Sequence, residues 1–154
     1  MISFVDGNIL DAKTEVIVNP VNCVGVMGAG LALEFKKKFP ENFKAYEKVC
    51  KEGRMHVGLM HVHKNNHYLV RPWFIINFPT KMHWREQSKI EYIKEGLVSL
   101  KSIIYEHQFF SISIPALGCG LGGLKWEDVK ESMDSSLSEL KGMKIDIYVP
   151  KGVR

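Results

Sequence analysis

No stretch of this 154-residue chain approaches the roughly 18 consecutive apolar residues that a membrane span requires. The opening residues Met1–Asp6 have no basic n-region and no apolar h-region, so no secretion signal is expected. Cysteine is scarce. Cys23, Cys50 and Cys119 form an odd, widely spaced set without a Cys-x-x-Cys pair. This argues against a disulfide framework and against a zinc site, and fits a cytoplasmic protein in a reducing compartment. His56, His61, His63 and His67 do not have zinc-ligand spacing either, and read as solvated hairpin surface. Repeats, low-complexity tracts and domain linkers are also missing. One domain over residues 1–154 is expected, and whether further chain follows Arg154 is left open.

What is present is an ordinary globular composition, 45% hydrophobic and 25% charged. The net charge of +4 leans only slightly towards a polyanionic partner. Short β-rich runs at 2–5, 15–18, 58–62, 73–77, 109–114 and 145–149 alternate with helical patterns. Phe110, Ile112 and Ile114 alternate with Ser111 and Ser113, which predicts a strand with one crowded face. Over 87–107, Ile90, Ile93, Leu97, Leu100 and Ile104 recur at spacings of three and four, as one buried helical stripe does. Trp126, Val129, Met133, Leu137 and Leu140 repeat that pattern. Two shorter helices, 30–39 and 41–50, are divided by Pro40. Such alternation predicts an α/β fold, a mixed or mostly parallel sheet between helices.

Two loops carry chemistry. In the first, a strand runs through Asn19-Pro20-Val21-Asn22 into Gly25, Gly28 and Gly30, where a helix begins. Glycines let the backbone approach a ligand, and a helix start offers free N–H groups and a positive dipole end to a phosphate. This first loop has neither the dinucleotide nor the P-loop spacing. Alone, it reads equally well as a turn with only a geometric job. The second loop repeats the plan: a strand, then Pro115 to Leu124 with Gly118, Gly120, Gly122 and Gly123, then a helix opening at Lys125-Trp126. In an open α/β sheet such loops gather at one edge, so the pair is placed to grip a diphosphate from both sides.

Gly7-Asn8-Ile9-Leu10, Asn19-Pro20-Val21-Asn22 leading to Gly28-Ala29-Gly30, and Ile114 to Gly122 together resemble the three signature stretches of macrodomains, in order and across essentially the whole chain. The resemblance implies a three-layer α/β/α fold with a six-stranded mixed sheet. It also implies ADP-ribose as ligand and product at the sheet edge, with no metal and no cofactor. By it, Asn8 and Ile9 contact the adenine. Gly28, Gly30 and Leu31 face the diphosphate and distal ribose, with Asn19, Asn22, Val26 and Met27 in the same loop. From the other side come Pro115, Leu117, Gly118, Cys119, Gly120, Leu121, Gly122 and Gly123. Many macrodomains carry Asp where Asn8 stands, and the amide carbonyl still accepts from the adenine amino group.

A large macrodomain subgroup places a catalytic aspartate after the first glycine run, and no acid stands there in this chain. The stretch Asn77-Phe78-Pro79-Thr80-Lys81 is instead similar to DarG antitoxin macrodomains, which remove ADP-ribose from thymidine in single-stranded DNA. These are allied to the terminal ADP-ribose-protein glycohydrolase, whose second-loop aspartate has no counterpart between Gly118 and Gly123. The resemblance implies a metal-independent hydrolase with Lys81 as the catalytic residue. As an ammonium, Lys81 stabilises or protonates the departing thymine; as an amine it attacks the anomeric carbon. His83 is a weaker candidate for proton transfer. Trp84 and Arg85 read either as a nucleic-acid contact or as a loop anchor. The implied partners are ADP-ribosylated single-stranded DNA and a DarT-like toxin, with no membrane. A non-catalytic ADP-ribose reader and a hydrolase of ADP-ribosylated protein remain as alternatives. For Cys23 and Cys119, packing is the expected role.

Overall fold

A computed structural model describes residues 1–67 and 69–153. In chain order, β1 (Ile2–Val5) leads through a short 3-10 turn at Ile9–Asp11 into β2 (Val16–Val21). Then come α1 (Gly30–Lys38), α2 (Pro40–Lys51), β3 (His61–Lys64), β4 (Phe74–Pro79), α3 (Ile90–His107), β5 (Ser111–Ile114), α4 (Trp126–Leu137) and β6 (Lys144–Tyr148). The six strands form one sheet in the order β1-β6-β5-β2-β4-β3. Only β3 runs antiparallel to its neighbour, at the edge, so the sheet is mixed as expected.

Alternate residues of β2 are sent to opposite faces, as the strand period of two demands. Val16 and Val18 join Ile76, Phe78, Ile112, Ile114, Ile145 and Ile147 in a core closed by the α3 and α4 stripes. Ile17 and Ile75 face the other way, onto Phe35 of α1. Val21 meets Tyr46 and Val49 of α2. Helices therefore cover both faces, which completes three layers. Among the described residues, no helix is long and apolar enough to cross a membrane.

Several element boundaries differ from the sequence-based expectation, each for a physical reason. Strand β2 runs on through Pro20 to Val21, although proline lacks the ladder donor. Val21 bonds Thr80 on the β4 side, and alternation turns the Pro20 nitrogen to the other side. There β5 pairs only at Val16 and Ile17, so no bond is lost. The edge strand begins at His61, not Gly58, because Gly58 has a positive φ of 86° in a turn. In β5 all four residues are buried, not one face of them. Ser113 pairs its hydroxyl with Thr14 at 2.8 Å, and Ser111 accepts from the Glu15 amide at 2.8 Å. Small hydroxyl residues are tolerated there because each is hydrogen-bonded. Phe110, by contrast, lies outside the strand and is exposed.

Helix α3 crosses β4 at Gly96, where a Cβ would stand 2.5 Å from Cε1 of Phe78. We expect Gly96→Ala to destabilise the fold by about 1–3 kcal/mol through overpacking, which outweighs the gain of up to about 1 kcal/mol in helix propensity. A thermal melt checks this, with Tm falling by several degrees.

A buried amide cluster joins β2, α2, β4 and β3. Asn77 accepts from Asn19 at 3.1 Å and from Asn42 at 3.2 Å, and donates to Asn42 at 2.9 Å and to Nδ1 of His61 at 2.9 Å. His61 is thus no solvated hairpin residue, because its ring is the terminal acceptor of this cluster. Burial, then the nearby His63 and Arg54, push it down to about 4. The unfolded ring titrates near 6.5, so from there down to about 4 the unfolded chain binds the extra proton and stability falls. Discounted for the part of the ring left in water, the loss is about 1–2 kcal/mol. Denaturation midpoints followed from pH 7 to 4 should show this slope, and His61→Gln should flatten it.

Candidate functional site

Five strands run parallel, so the segments leaving β1, β2, β4, β5 and β6 emerge at one edge of the sheet. The short β2–β5 pairing lets these two neighbours part beyond Ile17. The glycine loops that follow β2 and β5 thus leave the sheet side by side at this edge, the place where open α/β sheets bind ligands.

The first loop is shaped by Asn22. Its side-chain carbonyl accepts from the Val24 amide at 3.0 Å and from the Val26 amide at 3.4 Å, and its amide donates to the Val26 carbonyl at 2.8 Å. The Tyr46 hydroxyl, fully buried on α2, lies 2.7 Å from the same side-chain oxygen and 2.8 Å from the Asn22 carbonyl. Asn22 therefore folds the loop with both ends of its amide. Met27 is 1% exposed and packs among Val21, Tyr46 and Val49, so it offers a ligand only its backbone. Val26 and Gly28 stay at the surface. Helix α1 then starts at Gly30 with no side-chain cap and no acid in its first turn. Its first amides are left for an anion, and the dipole favours one.

The second loop is folded on itself. The Leu124 amide bonds the Gly118 carbonyl at 2.9 Å, Cys119 that of Ala116 at 3.2 Å, and Gly123 that of Gly120 at 3.2 Å. Gly118 and Gly123 have positive φ, at 75° and 79°, which turn the chain without a Cβ penalty. Pro115 and Leu117 are buried beneath it, while Gly120 and Leu121 are exposed. Leu121 reaches towards the first loop: its Cδ1 lies 3.5 Å from where a Cβ on Gly30 would be. The two loops are therefore close neighbours.

A third segment, leaving β4, ties both together. The Cys23 amide in the first loop donates to the Met82 carbonyl at 3.1 Å, and the Ser88 amide donates to Gly122 of the second at 2.9 Å. Lys81 directly precedes the first of these ties, half-buried, and its Nζ donates to the Trp84 carbonyl at 3.3 Å. His83 accepts the Arg85 amide on Nδ1 at 3.1 Å, which leaves Nε2 to carry the proton of the neutral ring. The Arg85 guanidinium lies 4.6 Å from the centre of the Trp84 ring.

At the far end, Asn8 is exposed and caps the 3-10 turn, accepting from the Leu10 amide at 3.0 Å. Ile9 is buried, in a cluster against which Leu31 packs. Lys38 donates to the Leu10 carbonyl at 2.6 Å, so it fastens this turn to α1. Asn19 lies wholly inside, with its amide nitrogen on Asn77 and its carbonyl oxygen without a partner among the described residues. Burial pushes Cys23 up to about 12 and Cys119 up to about 11, so neither thiol supplies a nucleophile at neutral pH. Sequence patterns do not point to Tyr46 or Ser88. Neither belongs to a recognisable motif, and only the fold brings them to the loops.

Strands and loops of this arrangement define a macrodomain, and the chain belongs to the Macro domain family, whose model matches residues 18–133. A DNA ADP-ribosyl glycohydrolase of Mycobacterium tuberculosis is 49% identical over 99% of this chain and 43% of its own length. The chain thus spans less than half the length of that relative. The solved macrodomain of Mycobacterium tuberculosis DarG superposes with a TM-score of 0.96 at 48% identity, covering 98% of this chain and 99% of that one. Thermosipho africanus DarTG, solved in complex with ADP-ribose, gives a TM-score of 0.92 at 32% identity, covering 99% of this chain and 42% of that one.

Proposed function

We propose that this domain removes ADP-ribose from thymidine in single-stranded DNA and so reverses the action of a DarT-like DNA ADP-ribosyl transferase. The observation that carries the reading is the placement of Lys81 on a segment hydrogen-bonded to both glycine loops, at Cys23 and at Gly122. Kinship with the mycobacterial glycohydrolase and with the ADP-ribose-bound DarTG structure supports both the substrate and the ligand.

In this reading the amides of Gly28, Gly30 and Leu31 hold the diphosphate from one side. The backbone of Gly118–Gly123 holds it from the other, leaving the anomeric carbon of the distal ribose towards Lys81. Asn8 and Ile9 receive the adenine. Water adds to the anomeric carbon as its bond to thymine breaks, and the bonding pair leaves with the base. The Lys81 ammonium commits one N–H to the Trp84 carbonyl and keeps two for the departing thymine, which takes one of those protons to restore thymidine. The attacking water releases its proton to solvent, from which the amine is recharged. The second loop carries no acid, which favours modified DNA over a glutamate ester on protein.

The test offers the domain a single-stranded oligonucleotide with one ADP-ribosylated thymidine and, in parallel, a protein ADP-ribosylated on glutamate. Free ADP-ribose should be released from the oligonucleotide and not from the protein. Binding of ADP-ribose without release from either would make the domain a reader.

A further inference from the structure

We propose that Trp84 and Arg85 form a stacking platform for the unpaired base next to the modified nucleotide, and that this platform makes the site selective for single strands. The proposal rests on the hydrolase reading for where the modified nucleotide lies. It deepens that reading by naming what holds the rest of the strand.

Trp84 is 46% exposed, whereas Trp73 and Trp126 are partly covered. A tryptophan that anchored its loop would place the ring in a core, and Trp84 belongs to none of the hydrophobic clusters. Its ring is held instead by its immediate neighbours. The Arg85 guanidinium sits 4.6 Å from the ring centre, and the His83 imidazole 5.2 Å away at an interplanar angle of 33°. The turn beneath is closed by two bonds, Glu86 amide to His83 carbonyl at 3.0 Å and Arg85 amide to His83 Nδ1 at 3.1 Å. The large ring is therefore both wet and pre-positioned, which lowers the ordering cost of binding.

Its position relative to the chemistry is equally defined. The Trp84 carbonyl accepts from Lys81 Nζ, so ring and lysine share one turn. A strand whose modified nucleotide meets Lys81 carries its adjacent base past Trp84. The Arg85 cation lies over one face of that ring, where it suits the phosphate next to a base stacked on the other. Aromatic stacking with a cation at the backbone is how sequence-tolerant single-strand sites work. In a duplex the flanking base is already stacked and paired, so it has no free face to offer. Arg85 and Trp84 thus read an unpaired neighbour, not a sequence.

The experiment compares two substrates: a DNA pentanucleotide with a central ADP-ribosylated thymidine, and the ADP-ribosylated thymidine mononucleotide. For Trp84→Ala, kcat/KM on the pentanucleotide should fall about 10- to 100-fold relative to the mononucleotide. Trp84→Tyr should recover most of the difference. Equal losses on both substrates, or no loss on the pentanucleotide, would overturn the platform, as would a wild type that cleaves both equally well. If the wild type cleaves neither, the hydrolase reading fails and binding decides the platform alone. The wild type should then prefer the modified pentanucleotide to free ADP-ribose by about tenfold or more, and Trp84→Ala should abolish that preference. An undiminished preference in the variant overturns the proposal.

Discussion

Lys81→Ala should slow ADP-ribose release from a thymidine-modified oligonucleotide by about 10²- to 10⁴-fold, the range a positioned proton donor contributes. Affinity for free ADP-ribose should change by no more than a few-fold. The reason is local. Among the described residues the Lys81 side chain makes one hydrogen bond, to the Trp84 carbonyl, while the segment's ties to the two glycine loops run through the Met82 carbonyl and the Ser88 amide. Truncation therefore removes the ammonium and leaves the segment in place. Lys81→Arg separates the two chemical routes. An arginine keeps a cation beside the departing thymine and should restore part of the rate, whereas it cannot replace an attacking amine. Single-turnover release with wild type and both variants reads the outcome directly. Loss of ADP-ribose binding in Lys81→Ala would show that the residue holds the ligand and does not act on it.

The second large effect is expected at Gly122. Its φ is unremarkable, so alanine strains no backbone torsion there; the obstacle is space. A Cβ would stand 2.6 Å from the Gly118 carbonyl oxygen, and closer still to the Ser88 hydroxyl. The carbonyl belongs to the backbone of the loop itself, which already accepts from the Leu124 amide at 2.9 Å. Room for the methyl group comes only by opening the loop or by parting Ser88 from the Gly122 carbonyl. Either movement displaces the amides that the proposed binding mode turns towards the diphosphate. Gly122→Ala should therefore weaken ADP-ribose binding by roughly 30-fold or more, equivalent to about 2 kcal/mol. Calorimetric titration gives the affinity, and a melt that drops only a few degrees shows that the fold survives. Affinity within threefold of wild type would mean that the second loop does not grip the ligand.

Much of this is legible in the sequence because it rests on local rules. The glycine clusters, the helical stripes of α3 and α4, and the β-rich runs carry their periods in the chain. Those periods alone put both loops at the ends of strands. What is not legible depends on contacts distant in sequence. Strand β2 passes through Pro20 because β5 stops short beside it, which is a property of the pairing and not of the segment. The serines of β5 look like a solvent face, yet Thr14 and Glu15, nearly a hundred residues away, satisfy them. His61 looks like hairpin surface until α2 and β4 bring Asn42 and Asn77 together beside it. Asn22 is a ligand contact by resemblance, and the fold adds that its amide shapes the loop, backed by Tyr46, which no local pattern announces. The site is legible at the level of loops, and the side chains that brace those loops are not.

The central claim is that two glycine loops hold ADP-ribose so that its anomeric carbon meets Lys81. A crystal structure of the domain with ADP-ribose bound tests it most directly. The diphosphate should lie between the start of α1 and the Gly118–Gly123 loop, with Lys81 Nζ within about 4 Å of the anomeric carbon or the oxygen it bears, close to reacting distance. ADP-ribose bound elsewhere, or bound between the loops with Lys81 Nζ more than about twice that distance from the anomeric carbon, would contradict the account.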